Sequence, residues 1–120
     1  MVLKLKKSRD FKTFQAEFTR RQKQFGLLGY KVYFKYEPLE DAFAEIRWDR
    51  QADMVATVAL NSKLGEKDKP FKNPRRQAKH EALHLLIMRL ESCSRRRFVG
   101  EEEIYGAAEE LVRRLETLIP

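Results

Sequence analysis

Both histidines of this chain fall in one short run, Lys-His-Glu-Ala-Leu-His-Leu-Leu, at positions 79–86. A helix turns about 100° per residue, so His80 and His84, four apart, lie nearly one above the other. Two imidazoles so placed can hold one metal ion. Glu81 follows the first histidine and projects to its side, where its carboxylate can take a proton from a metal-bound water without binding the metal. Zinc suits such a set: nitrogen ligands, a carboxylate, and one open position for water. The expected roles are His80 and His84 as metal ligands and Glu81 as general base. With two His and 13 Glu in the chain, shuffling gives this pattern in roughly two sequences per thousand. Context therefore matters. The run lies in an otherwise apolar helix, where each polar group buried without a partner costs on the order of 1–3 kcal/mol. The competing reading pairs the same three side chains with the sheet or with arginines.

Catalytic zinc takes three protein ligands, and there is no third histidine. Cys93 lies beyond the expected end of the helix. A glutamate from the final helix is the better candidate. In that helix Glu101 falls within the apolar stripe and Glu109 on its edge. An antiparallel helix pair sets residues 107–109 level with His84 and leaves Glu101 roughly 10 Å too low at 1.5 Å per residue. Glu109 is therefore the expected third ligand and Glu101 the runner-up.

Elements must position these residues. Phe11, Phe14, Phe18 and Phe25 recur at helical spacing, with Ser8 as an expected cap and Gly26 as a stop. Residues 30–36 and 42–50 alternate apolar and charged, the pattern of half-buried strands. Residues 54–61, Met-Val-Ala-Thr-Val-Ala-Leu-Asn, make a third strand with few charges. Short links between the three favour an antiparallel meander. A lysine-rich loop over 62–72 precedes Asn73-Pro74, a cap followed by proline in the first turn. The histidine helix then runs from Pro74 to about Glu91, apolar on nearly every side and so expected to be buried between other elements. Residues 100–119 form the last helix, with acids in its first turn. The expected class is α+β, one domain over 1–120: an N-terminal helix, a mainly antiparallel three-stranded sheet, a buried histidine helix and a C-terminal glutamate helix.

A net charge of +7 and a hydrophobic fraction of 42% describe a chain able to build a core without disulfides. One cysteine cannot form an internal bridge, which fits a reducing compartment. No apolar run reaches the roughly 18 residues of a membrane span, and the N-terminus lacks a signal-like apolar stretch. The expectation is a cytoplasmic protein. Lys4, Lys6, Lys7, Arg20, Arg21, Arg95, Arg96 and Arg97 form a candidate basic surface for nucleic acid.

His80-Glu81-Ala82-Leu83-His84 on such a helix, followed by a glutamate-bearing helix, resembles the zincin metallopeptidases. The lack of a third histidine makes it similar to the gluzincin branch, and its size to the minigluzincins and short metallopeptidase-like proteins of bacteria and phages. The resemblance covers roughly residues 30–119. It implies a zincin-like domain that hydrolyses peptide bonds with zinc as cofactor. It also implies a strand before the histidine helix that pairs with extended substrate, here Ala59, Leu60 and Asn61, and an oxyanion partner such as Tyr105. Arg113 stands where gluzincins often place an aspartate four residues after the third ligand. The alternative is a catalytically weak or latent binding module on the same scaffold, associated with nucleic acid. In the latent case the N-terminal helix or the 62–72 loop covers the cleft.

Overall fold

The computed structural model describes residues 2–50, 54–96 and 98–118, and the side chains of these except residues 2–8, 49 and 50. The side chains of Lys4, Lys6 and Lys7, and all of Arg97, thus lie outside the described residues. The elements are α1 (Val2–Gln24), β1 (Lys31–Glu37), β2 (Ala44–Arg50), β3 (Val55–Asn61), α2 (Pro74–Arg95) and α3 (Glu101–Leu118). No helix among the described residues is long and apolar enough to cross a membrane.

The class is α+β, but the sheet is mixed rather than a meander. Its order is β1-β3-β2. β3 pairs parallel with β1, from Lys31 opposite Val55 to Glu37 opposite Asn61, and antiparallel with β2. The strands' own composition explains the order. β1 and β2 alternate charged and apolar residues, which suits edges exposed on one face. β3 is almost uncharged and is buried from Ala56 to Asn61. The six residues 38–43 are long enough to arch over one strand position, about 9.6 Å across two inter-strand spacings.

Asn61, at the end of β3, pins that arch. Its Oδ1 accepts from the backbone N–H groups of Leu39 (3.1 Å) and Lys63 (2.8 Å). Its Nδ2 donates to the carbonyls of Leu39 (3.1 Å) and Ala42 (2.8 Å). One buried side chain therefore satisfies four backbone groups, three in the arch and one in the loop after β3, that have no partner in the sheet ladder.

α1 begins earlier than expected, at Val2, so Ser8 lies within the helix rather than at its start. Its aromatic stripe covers one sheet face. Phe14 and Phe18 are fully buried and meet Phe34 of β1 edge to face, while Phe11 stacks on Tyr36. Gly26, at φ +72°, ends α1. Leu27 N–H bonds to the Gln22 carbonyl and Gly26 N–H to that of Lys23, a paired closure that needs the left-handed residue.

α2 packs beside α1, between α3 and the β2 edge. Asn73 caps it by accepting from Arg76 N–H at 3.1 Å, with Pro74 in the first turn. The helix is not buried all round. Ala78, Glu81, Ala82, Leu85, Leu86 and Met88 face inward, while His80 is exposed and Leu83 is 41% exposed.

Replacing Asn61 by Ala leaves four backbone groups seeking partners, and should cost about 3 kcal/mol in urea unfolding. Asn61→Asp keeps the two accepting bonds but sets a carboxylate against the Leu39 and Ala42 carbonyls, and should cost a similar amount.

Candidate functional site

The exposed flank of α2 carries the histidines. Their rings sit one turn apart, with centroids 4.9 Å from each other at an interplanar angle of 72°. One ligand atom from each of His80, Glu81 and His84 lies within 4.8 Å of the others. A zinc tetrahedron has edges of about 3.4 Å for ligand bonds near 2.1 Å. Modest rotation of the exposed imidazoles closes that gap, so the donor set fits a zinc-sized cation.

Glu81 is only 5% exposed, and its Oε2 has no hydrogen-bond partner among the described residues. Burial lifts its carboxyl from the ordinary 4.5 to about 6, with the charge of His84 opposing the shift and that of Glu45 adding to it. An orphaned buried carboxylate is costly unless something pairs with it. A cation held by the neighbouring imidazoles is such a partner.

His80 and Glu81 line a cleft of ≈ 400 Å³, bordered also by Ala42, Phe43 and Ala44 of the arch and β2, and by Phe71, Arg76 and Gln77; His84 stands one turn beyond it. Arg76 precedes His80 by four residues and so shares its helix face, a spacing visible in the sequence. Glu91 follows His84 by seven residues, two turns further on the same face. Its Oε1 lies 3.2 Å from His84 Nδ1. A carboxylate there holds the ring so that the other nitrogen faces outward.

The structure does not bring Glu109 to this group. α3 docks on another flank of α2, through Arg89 to Glu110 at 3.2 Å and Cys93 to the Glu103 carbonyl at 4.0 Å. Arg89 is five residues past His84, about 140° further round the helix. Height fails as well. α2 continues to Arg95 rather than stopping near Glu91, which shifts its register with α3 by a turn. Glu109 instead approaches Arg113 at 3.8 Å. Glu101 is exposed at the far end of α3, beside Tyr105. Tyr105 is 67% exposed and does not line the cleft. Arg114 of α3 reaches the other way, donating to the Phe25 and Gly26 carbonyls at 3.1 and 2.6 Å.

Ala59, Leu60 and Asn61 cannot pair with a substrate strand, because β3 is central and bonded on both sides. The strand beside the cleft is β2, which among the described residues pairs in the sheet with β3 alone. Each basic candidate within the described side chains stands near a carboxylate, with Arg20 and Arg21 sharing one. Arg20 and Arg21 each reach Glu17 at 2.8 Å, Arg95 lies 3.8 Å from Glu91, and Arg96 lies 2.8 Å from Glu103.

In comparisons with protein-family models, curated proteins and solved structures, nothing matches this chain.

The raised pKa of Glu81 has a sign that unfolding experiments can read. The folded state holds this proton more tightly than the unfolded state, so stability is unaffected below pH 4.5. It is lost progressively as pH rises through 4.5 to about 6. The full loss is about 2 kcal/mol. In metal-free protein, Glu81→Gln should match the native chain at pH 4 and exceed it by about that amount at pH 7.5, measured by urea denaturation.

Proposed function

We propose that this protein is a small zinc-dependent peptidase whose site is the His80–Glu81–His84 face of α2. The single observation that carries the reading is the buried Glu81 carboxylate, its Oε2 unpartnered among the described residues, grouped with two imidazoles within reach of one ion beside a cleft that His80 and Glu81 line. A core histidine pair serving only stability would have its polar atoms tied to neighbours.

His80 and His84 would hold the zinc, which when bound acidifies water and polarises a carbonyl. Glu91 fixes the ring of His84 through Nδ1. Glu81 accepts the proton of the attacking water and returns it to the leaving amine. Its elevated pKa, about 6, suits a group that must both take and release a proton near neutrality. Arg76, on the rim of the same cleft, can offer its guanidinium to charge developing on the carbonyl oxygen. An extended peptide fits along β2, whose outer edge has no strand partner among the described residues. The resemblance to the zincins agrees with this reading, with β2 rather than β3 as the substrate strand and with no ligand supplied by α3.

Glu81 is the carboxylate that stands with the two histidines, so its replacement also reports on its role. Glu81→Gln should retain zinc and lose hydrolysis of a casein or peptide-library substrate by at least about a thousandfold. A large loss of zinc affinity in that variant would make Glu81 a ligand rather than the base. Native protein that gains no thermal stability from zinc, and takes up none on metal analysis, would overturn the proposal. Arg76→Ala should lower kcat by about 10–100-fold with little change in KM.

A further inference from the structure

A second cavity, of ≈ 690 Å³, adjoins the cleft. Its walls come from six parts of the chain: Asp10 of α1, Tyr36 at the end of β1, Phe43 of the arch, Leu60 of β3, Leu64 and Pro70 of the 62–72 loop, and Pro74 at the start of α2. Phe43 and Gln77 line both this cavity and the His80–Glu81 cleft, so the two spaces share a wall. The volume lies within the range of about 300–1,000 Å³ typical of ligand pockets.

The chemistry of the walls selects against charge. Two lysines border the cavity, and both already have carboxylate partners: Lys72 reaches Asp10 of α1 at 2.8 Å, and Lys69 reaches Glu66 at 2.7 Å. Asn61 spends its amide on the arch and following loop. What remains is two aromatic rings, two leucines and two prolines, with Ser62 and with Gln77, whose amide meets the Asn73 backbone; that mostly apolar surface suits a neutral apolar group.

We propose that this cavity is the specificity pocket of the cleft and receives one bulky apolar side chain, phenylalanine or larger, from a peptide laid along β2. The inference rests on the peptidase reading for its substrate, but the pocket's preference can be measured without metal. A strand bound to the outer edge of β2 at Ala44 continues past Phe43 along the arch. From there alternate side chains point away from the sheet plane, and one of them enters the adjoining space. The ion pair between Lys72 and Asp10 ties α1 to the end of the 62–72 loop. The N-terminal helix and this loop thus help bound the pocket, and Phe71 of the loop borders the cleft as well.

The test uses N-acetyl-phenylalaninamide and N-acetyl-alaninamide as probes, followed by amide NMR shifts in the zinc-free protein. The phenylalanine probe should move the amides of Ser62, Leu64 and Gln77, and the alanine probe should not. Leu64→Trp and Pro70→Trp obstruct the space from its loop side and should each weaken the phenylalanine probe at least tenfold. Equal response to both probes, or binding untouched by either tryptophan, would overturn the pocket. A peptide-library digest with zinc-loaded protein separates the two claims. Probe binding blocked by the tryptophans, with no zinc-dependent cleavage, keeps the pocket and sinks the peptidase. Cleavage without an apolar preference, with no probe response, does the reverse.

Discussion

Asn61 sits where the central strand ends, and its amide is shared among four backbone groups of the arch and the following loop. The arch has to cross the end of β3 because β3 lies between the two strands the arch connects. A chain crossing a sheet end cannot take its hydrogen bonds from the sheet, and buried peptide groups must find them elsewhere. The side chain of Asn61 provides them. In doing so it sets Ala42, Phe43 and Ala44 beside α2, where all three border the cleft and Phe43 borders the neighbouring cavity as well.

The Glu81 carboxylate works against that stability. It is buried, lacks a partner for one oxygen and has its pKa pushed upward. An apolar residue of similar size would sit there at lower free energy. A costly group retained on the inner edge of an exposed histidine face is what a reactive site requires, since strain and unpaired polarity concentrate where chemistry is done. The remaining carboxylates near the face take auxiliary places. Glu91 touches Nδ1 of His84, and the field of Glu45 raises Glu81 further.

α3, which bears the glutamates that looked like ligands, is committed to other work. Arg114 fastens it to the carbonyls that end α1, while Arg89 of α2 and Arg96, just past the end of α2, hold it through Glu110 and Glu103. The Arg89 contact lies on a flank of α2 turned away from His84. The acids of α3 serve the packing of the helices rather than the histidine face.

Local signals in the chain were sufficient for the helices and strands, for the Asn73-Pro74 start of α2, and for the sharing of one face by His80 and His84. Each depends on bond geometry repeated over a few residues: 100° per residue in a helix, alternation in a strand. The low charge of β3 already marked a strand buried on both faces, but short links were read as neighbours in a meander. Strand order, the docking flank of α3 and the choice of β2 as the strand at the cleft emerged only in three dimensions. A six-residue link can join adjacent strands or skip one, and four extra residues on α2 turn and raise everything packed after it. Such outcomes are set by contacts between distant segments, the bonds of Asn61 and Arg114 among them, and no local periodicity encodes them.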